Sequence, residues 1–207
     1  EHSYELKEKI GAGGFASVYK CRNIRYKEIF CVKIIELPDD AKESLAISFD
    51  SEFQTLVKII HPNIITIFDH FQSEHCLYLI LEYCPNGSVY DLISKKEQRL
   101  TLETLVDLFK QILQATNYIH SIGIAHRDIK PKNILFDQHN RPKLADFGLA
   151  EFYNSNKKEK EKFGGSLPYM APELILIQEF NPEAVDVWAL GISFYEMATG
   201  TLPWVSN

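Results

Sequence analysis

Residues 124–133 read Ile-Ala-His-Arg-Asp-Ile-Lys-Pro-Lys-Asn, and the other motifs of the chain are arranged around them. The stretch places the carboxylate Asp128 two residues before Lys130 and five before the carboxamide of Asn133. A second carboxylate, Asp146, follows in an Asp-Phe-Gly sequence. Transfer of a phosphoryl group needs a proton acceptor, a cation beside the moving charge, and oxygen ligands for magnesium. These four side chains are candidates for the three roles in that order.

Length and composition are those of an ordinary globular protein. The 207 residues are 45% hydrophobic and 24% charged, with a net charge of −6. The chain is long enough for one large domain or two small lobes. The acidic balance argues against nucleic acid as a partner. Residues 1–20 lack the apolar core of a signal peptide, and no later run approaches the roughly 18 apolar residues of a membrane span. We therefore expect a cytoplasmic or nuclear protein without a membrane partner.

The cysteines are expected to be free thiols in a reducing compartment. No two of them form a Cys-x-x-Cys pair, and no histidines stand at zinc-ligand spacing. The four are Cys21, Cys31, Cys76 and Cys84.

Short strands with a glycine cluster between them are predicted at the start of the chain. Alternation and β-branched content predict strands over residues 4–6, 17–20 and 28–35. The cluster reads Gly11-Ala12-Gly13-Gly14-Phe15-Ala16-Ser17-Val18. Glycines let backbone N–H groups approach an anionic ligand, and a glycine turn between two strands differs from the strand-to-helix turn of dinucleotide sites. A plain hairpin turn is the alternative.

Lys33 lies within an apolar strand pattern, where a lone lysine is costly unless it is paired. A solvent-facing lysine on an edge strand is the alternative. A helix is predicted over residues 44–60, where apolar side chains recur at helical spacing at Phe49, Phe53, Leu56 and Ile60. Glu52 falls on the same face of this helix. An ion pair between Lys33 and Glu52 would explain both inward charges.

Two further strands are predicted over residues 64–71 and 76–83, and a turn signal follows in Pro-Asn-Gly-Ser. We expect this turn to separate two lobes, residues 1–84 and 85–207. The second lobe is predicted to be helical. Its first long helix should be capped by Thr101 and end near Gly123. The expected buried stripe of this helix is Leu105, Leu108, Ile112, Ala115 and Ile119.

Taken together, these motifs resemble a eukaryotic protein kinase catalytic domain of the serine/threonine type. The resemblance implies an α+β, bilobal fold with a small antiparallel sheet and one helix in the first lobe and a mainly helical second lobe. It implies ATP and Mg²⁺ as cofactors and protein substrates with serine or threonine acceptors. An upstream activating kinase is a further expected partner.

The resemblance also carries roles onto particular residues of this chain. Catalytic roles fall on Asp128, Lys130, Asn133, Lys33 and Glu52. Nucleotide contacts fall on Gly11, Ala12, Gly13, Gly14, Val18, Cys31, Lys33, Leu81, Glu82, Cys84, Ser88, Leu135 and Asp146. Metal ligation falls on Asn133 and Asp146. Ala16 stands where the family usually has its third glycine, and we expect a stiffer loop with unchanged function.

The region after Asp146 resembles the activation segment of the family. Its polar middle, residues 154–162, is typical of a long functional loop. In the family, an arginine placed like Arg127 receives a phosphate from this segment. Ser155 is the leading candidate for that phosphate and Tyr153 is a second. The segment ends in Gly-Ser-Leu-Pro-Tyr-Met-Ala-Pro-Glu, which resembles the substrate-docking turn, and Ser166 is expected to order Asp128 and Lys130.

Three structural features are predicted around residues 124–133, which are called the catalytic loop below. His126 is expected to pack against Phe147. A helix capped at residues 181–183 should run to Gly200. Asp186 lies in this helix among apolar residues, so its carboxylate should accept hydrogen bonds, in the family from the backbone of the catalytic loop.

Two alternatives to a protein kinase stay open. A pseudokinase would bind nucleotide without turnover, but such proteins usually lose Lys33, Asp128 or Asp146, and this chain keeps all three. A small-molecule kinase is disfavoured, because the docking turn is a protein-substrate feature. Lys130 and Ser166 favour serine/threonine over tyrosine acceptors.

Two further expectations concern substrates and the end of the chain. Ser88 and Lys132 stand where arginine-directed kinases resemble one another in having glutamates, so we expect no strong preference for arginine, with Asp91 as a partial substitute. The second lobe is expected to be truncated and poorly stable on its own. The apolar patch expected from this truncation consists of Trp188, Phe194, Tyr195 and Trp204.

Overall fold

The computed structural model of the chain describes residues 3–12, 16–36, 57, 59–73, 75–95, 100–147, 151–152, 165–176 and 179–204. By its contacts the chain divides into two units. The first comprises Glu1–Ile60 and Ile65–Tyr83, and the second comprises His61–Ile64 and Cys84–Asn207.

The first unit contains an antiparallel sheet of five strands, which confirms the predicted sheet. The strands are β1 (Tyr4–Ala12), β2 (Ala16–Asn23), β3 (Ile29–Glu36), β4 (Ile67–Gln72) and β5 (Cys76–Glu82). They are ordered β1-β2-β3-β5-β4, and each pair of neighbours runs antiparallel. Cys21, Val32 and Ile80 form a buried cluster on one face of this sheet. The glycine-rich sequence joins β1 to β2 as predicted, and Gly13 and Gly14 lie outside the described residues.

Two details predicted for the first unit differ from the structure: the burial of Ile60 and the start of the fourth strand. The helix predicted over residues 44–60 lies almost entirely outside the described residues, Glu52 included. Its last stripe member is wrong, because Ile60 is 83% exposed and Ile59 is 5% exposed. Pro62 disfavours helical geometry at the preceding residue, His61. Helical spacing therefore no longer predicts which side chains face inward at this end of the predicted helix.

The strand predicted from residue 64 begins only at Ile67. Ile64 instead forms a bridge with Leu144 inside the second unit. A pairing partner eighty residues away along the chain leaves no trace in local alternation, which is why the start was misplaced.

The second unit is mainly helical. Its helices are α1 (Val89–Ile93), α2 (Leu102–Ser121), α3 (Pro172–Ile175) and α4 (Pro182–Thr199). Two short ribbons pair β6 (Ile124–Ala125) with β9 (Glu151–Phe152) and β7 (Ile134–Phe136) with β8 (Pro142–Leu144). Single 3₁₀ turns cover Pro131–Asn133 and Leu167–Tyr169. None of the helices described in either unit has both the length and the apolar character that crossing a bilayer requires.

Helix α2 confirms the prediction made for it. The hydroxyl of Thr101 accepts a hydrogen bond from the N–H of Thr104 at 3.2 Å, which satisfies a donor that the first turn leaves unpaired. The helix ends at Ser121, and Gly123 takes a φ of 76°, a left-handed conformation that glycine adopts without strain. All five predicted stripe residues are buried. The buried stripe holds α2 in the core and delivers the chain to β6 and the catalytic loop.

Helix α4 begins and ends as predicted. The side chain of Asn181 accepts from the N–H of Glu183 at 2.9 Å, and Gly200 takes a φ of 77° at the C-terminal end. Buried side chains on α4 include Val185, Ala189, Leu190 and Met197.

The expected apolar patch along α4 is present in part. Trp188, Tyr195 and Trp204 are 39%, 45% and 42% exposed. Phe194 differs, because its ring stacks on Phe109 of α2 at a centroid distance of 4.0 Å and is half-buried.

Candidate active site

Asp186 of α4 holds the backbone of the catalytic loop. Its side chain is fully buried, Oδ2 accepts from the N–H of His126 at 2.8 Å, and Oδ1 accepts from the N–H of Arg127 at 2.7 Å. The ring Nε2 of His120 lies 2.8 Å from Oδ2. These contacts compensate the burial of a carboxylate, and they stabilise Arg127 at its strained φ of 66°. The predicted role of Asp186 is confirmed, and His120 is a partner that the sequence analysis missed.

His126 has a structural role. Its ring is fully buried and packs against Phe147 at a centroid distance of 4.7 Å, as predicted. Nδ1 accepts from the N–H of Asp128 at 3.3 Å, so Nε2 carries the proton and donates to the carbonyl of Ala145 at 3.0 Å. Burial lowers the pKa of His126, which keeps the ring neutral. The ring therefore positions Asp128 and does not exchange protons itself.

Three side chains converge on the carboxylate of Asp128. Oδ2 accepts from Lys130 Nζ at 2.6 Å and from Asn133 Nδ2 at 2.9 Å. Oδ1 accepts from the hydroxyl of Ser166 at 3.0 Å, and that hydroxyl lies 2.6 Å from Lys130 Nζ. Ser166 thus bridges Asp128 and Lys130, as predicted. The result is a carboxylate with both oxygens oriented and a cation beside it, which is the arrangement that general-base catalysis requires.

Asn133 and Asp146, the predicted metal ligands, come from adjacent segments. Asn133 is buried, and its Nδ2 also donates to the carbonyl of Asp128 at 2.8 Å, so its amide oxygen is the atom that can bind a cation. Ala145 donates its N–H to the carbonyl of Asn133 at 2.8 Å, which brings the residue before Asp146 against Asn133. Asp146 is exposed and has a φ of 64°. Two hard oxygen donors in neighbouring segments suit Mg²⁺.

Predicted nucleotide contacts in the first unit share one face of its sheet. The register pairs Gly11 with Val18 and Val18 with Lys33 across β1, β2 and β3. Cys31, two residues before Lys33, pairs with Leu81 on β5. Directly paired and alternate residues point to the same side of a sheet, which is here the side opposite the Val32 cluster. Ala12 is the last residue of β1.

Cys31 and Glu82, two of the predicted nucleotide contacts in the first unit, have surroundings that limit what their side chains can do. Burial raises the pKa of the Cys31 thiol to about 12, so this side chain is a small apolar surface and not a nucleophile. The N–H of Glu82 donates to the carbonyl of Thr66 at 2.9 Å, and its carboxylate accepts from the N–H of Thr66 at 3.3 Å. All four cysteines of the chain are free, as expected.

The remaining predicted nucleotide contacts belong to the second unit. Cys84 is its first residue after Tyr83, and Ser88 and Leu135 form a backbone bridge with each other. The hydroxyl of Ser88 lies 2.7 Å from Asp91 Oδ2 and accepts from the N–H of Asp91 at 3.1 Å, so it serves the cap of α1. A nucleotide contact by Ser88 stays a prediction.

The structure also pairs two residues that the sequence analysis did not. The hydroxyl of Tyr169, in the docking turn, donates to Glu196 Oε2 at 2.6 Å, and Glu196 is 7% exposed. Glu196 lies in an apolar run between Tyr195 and Met197. A carboxylate in such a run should accept hydrogen bonds, and this pattern, which identified Asp186, could also have identified Glu196.

Known proteins are similar to this chain over nearly its whole length. The family model described as "Protein kinase domain" matches residues 4–207. Serine/threonine-protein kinase 1 of Arabidopsis thaliana is 36% identical over 97% of this chain and 24% of its own length. NUAK family SNF1-like kinase 1 of Homo sapiens is 33% identical over 99% of this chain and 31% of its own length. CBL-interacting serine/threonine-protein kinase 12 of Arabidopsis thaliana is 30% identical over 97% of this chain and 41% of its own length. The chain spans less than half the length of each of these relatives.

Proposed function

The chain belongs to the protein kinase domain family, and we propose that it transfers the γ-phosphoryl group of ATP to serine and threonine hydroxyls of protein substrates. The observation that carries the proposal is the hydrogen-bonded group of Asp128, Lys130, Asn133 and Ser166. A pseudokinase is not favoured, because the residues that turnover needs are retained and those of the second unit are assembled.

The geometry supports a task that we propose for three members of this group. Asp128 accepts the proton of the substrate hydroxyl, since its two oxygens are oriented by Lys130, Asn133 and Ser166. Lys130 places a positive charge next to the position at which negative charge develops. Ser166 links this group to the docking turn, so the residues that hold the substrate and the residues that act on it are positioned together.

The donor set fits Mg²⁺, which this family implies together with ATP. Asn133 and Asp146 would hold the ion through one amide oxygen and one carboxylate. Within the described ranges, no group of three or more His, Cys, Asp or Glu side chains could hold a metal ion. Mg²⁺ commonly takes most of its ligands from water and substrate phosphates, so two protein oxygens suffice. When bound, Mg-ATP supplies the transferable phosphoryl group and the countercharge on its oxygens.

Residues of the first unit support nucleotide binding. Gly11, Val18 and Lys33 form one row across three strands, so a glycine backbone, a small apolar side chain and a cation lie along the same face of the sheet. Backbone N–H groups and a lysine are suited to phosphate oxygens. We propose that this row binds the ATP phosphates, with Glu52 as the ion-pair partner of Lys33.

The identity of the acceptor tests the proposed function. Purified protein incubated with Mg-ATP and matched peptides that contain serine, threonine or tyrosine should phosphorylate the serine and threonine peptides. Mass spectrometry locates the phosphate. Exclusive labelling of the tyrosine peptide, or of a small metabolite in a mixture that contains all of them, would overturn the assignment.

Removing the carboxylate of Asp146 should weaken magnesium-dependent nucleotide binding. We expect Asp146→Ala to lower the affinity for Mg-ATP by at least about tenfold, since one of two protein ligands is lost. In the presence of EDTA, the variant and the wild-type protein should bind ATP with the same affinity. Asp107→Ala, an exposed carboxylate on α2, is the control. Calorimetry that gave the same magnesium-dependent affinity for Asp146→Ala and the wild-type protein would refute the metal assignment.

Phosphorylation of the activation segment is expected to raise activity. Arg127 is 7% exposed and its guanidinium lies 5.8 Å from the ring centroid of Phe180. A phosphate on Ser155, which lies outside the described residues, would add charge-assisted hydrogen bonds to this arginine. Phosphatase treatment should therefore lower turnover by about tenfold or more, and Ser155→Ala should show the same loss without treatment. Equal turnover before and after phosphatase treatment would contradict this control mechanism.

A further inference from the structure

Lys20 of β2 is a cation on the same sheet face as the predicted nucleotide contacts of the first unit. The register pairs Lys20 with Cys31, and Cys31 with Leu81. Directly paired residues point to the same side of a sheet, so these three side chains form one row. Lys33, the cation proposed for the phosphates, lies two residues after Cys31 in the neighbouring row. Lys20 is therefore beside two predicted nucleotide contacts and outside the row proposed for the phosphates.

A shift in the pairing of β1 with β2 brings Glu8 to Lys20. Two residues of β1, Lys7 and Glu8, lie opposite the single residue Lys20, which is the pattern of a β-bulge. A bulge changes the direction in which the side chains beside it point. Here Glu8 Oε1 accepts a hydrogen bond from Lys20 Nζ at 3.2 Å, an ion pair between neighbouring strands. The bulge thus joins Lys20 to the strand that leads into the glycine-rich sequence.

The same ammonium group contacts the residue that follows β5. Lys20 Nζ lies 5.1 Å from the ring centroid of Tyr83, a cation–π contact. Tyr83 directly follows Leu81 and Glu82, two predicted nucleotide contacts at the end of β5. The pKa of Lys20 is raised, first by the hydrogen bond to Glu8 and next by Tyr83, so the group stays an ammonium. One side chain therefore joins β1 to the end of β5, although β2 and β3 separate these strands in the sheet.

We propose that Lys20 is a positioning residue for nucleotide binding, which holds the end of β5 and the glycine-rich end of β1 in their binding arrangement. This inference rests on the nucleotide binding in the proposed function and names a residue that sets its affinity. Segments that are already held in place lose less freedom when the ligand binds. Glu8 is 63% exposed, so the ion pair alone contributes little, and the contact with the Tyr83 ring adds to it.

Removing the ammonium group should cause a loss of affinity that does not depend on phosphate. The group binds Glu8 and Tyr83, so Lys20→Met should weaken the binding of adenosine, ADP and Mg-ATP by the same factor, about three- to tenfold. A lysine that binds phosphate would instead give a loss that increases with the number of phosphates. KM for Mg-ATP should rise while kcat stays within about twofold, because the ground state and the transition state lose the same contribution.

Three further variants separate this role from a general effect on stability. Lys20→Arg keeps a cation that can pair with a carboxylate and stack on a tyrosine, so its affinities should stay within about twofold of wild type. Tyr83→Leu removes the ring, and the double variant with Lys20→Met should lose less than the product of the two single losses. Lys7→Met is the matched control, because it breaks the 2.7 Å ion pair with Glu5 on the same strand and should bind all three ligands as the wild type does.

Calorimetric titration of each protein with adenosine, ADP and Mg-ATP measures these affinities. Wild-type affinity in Lys20→Met, a loss confined to the phosphorylated ligands, or an equal loss in Lys20→Arg or Lys7→Met would overturn the inference. Peptide phosphorylation is measured separately on the same proteins. If the wild-type protein binds the ligands but phosphorylates no peptide, the proposed function fails, while the ratios of affinity still decide the role of Lys20. If the wild-type protein binds none of the ligands, both fail.

Discussion

Replacing Asp128 with asparagine should lower kcat for peptide phosphorylation by about 10²- to 10⁴-fold, the range over which a positioned general base contributes. The carboxamide has the shape of the carboxylate but cannot accept the substrate proton. Lys130 and Ser166, which now meet two carboxylate oxygens, would meet one oxygen and one NH₂ group. Initial rates at saturating Mg-ATP and peptide measure the loss. Nucleotide affinity should stay within about twofold of the wild-type value, because the change removes an interaction of the reacting hydroxyl.

The matched control is Asp107→Asn, which makes the same chemical change at an exposed position of α2. Asp107 accepts a hydrogen bond from Gln111 on the same helix and has no contact with the catalytic loop among the described interactions. Its turnover should equal that of the wild-type protein. An Asp128→Asn variant with kcat within about tenfold of wild type would show that another group accepts the proton.

Removing the carboxylate of Asp186 should destabilise the second unit more than other single substitutions of an acidic residue. Asp186→Ala leaves the N–H groups of His126 and Arg127 buried without their acceptor and frees the strained backbone between them. Breaking a buried charged interaction by removing one partner costs roughly 3–5 kcal/mol. That is a large part of the ~5–15 kcal/mol that typically stabilises a domain. Turnover should fall as well, since Asp128 directly follows the freed residues.

Chemical denaturation of Asp186→Ala and of the exposed-site variant Asp107→Ala measures this difference directly. The control should lose less than about 0.5 kcal/mol of unfolding free energy, as expected for a surface substitution. If the two variants lost the same amount, the hydrogen bonds to the loop backbone would not be what stabilises it. Activity of Asp186→Ala measured below its unfolding transition shows whether the loop geometry itself has changed.

Local patterns predicted the parts of the fold that depend on neighbours along the chain. The buried stripe of α2 follows from helical periodicity, because one face of the helix packs in the core. Every helix end has unpaired backbone groups, so the sequence around an end often shows how they are satisfied. This predicted the caps at Thr101 and Asn181 and the left-handed Gly200. Asp186 could be identified because a carboxylate in an apolar run must find donors.

Interactions between distant residues were less predictable. Three contacts join residues that share no local sequence pattern. They are the bridge from Ile64 to Leu144, the contact of His120 with Asp186, and the hydrogen bond from Tyr169 to Glu196. The family resemblance placed Asp128 beside Lys130 and Ser166, and the structure shows these contacts. The pairing of Lys33 with Glu52 and the phosphate on Ser155 involve residues outside those described and stay predictions.

Transfer of label from γ-labelled ATP to a serine or threonine peptide tests the central claim most directly. The proposed mechanism predicts that the wild-type protein with Mg²⁺ forms one phosphopeptide for each ADP, and that Asp128→Asn binds the nucleotide but forms neither product at a comparable rate. Nucleotide binding by the wild-type protein without any phosphopeptide, across a library that varies every position around the acceptor, would contradict it. The chain would then be a nucleotide-binding module with the catalytic residues of a kinase but without its reaction.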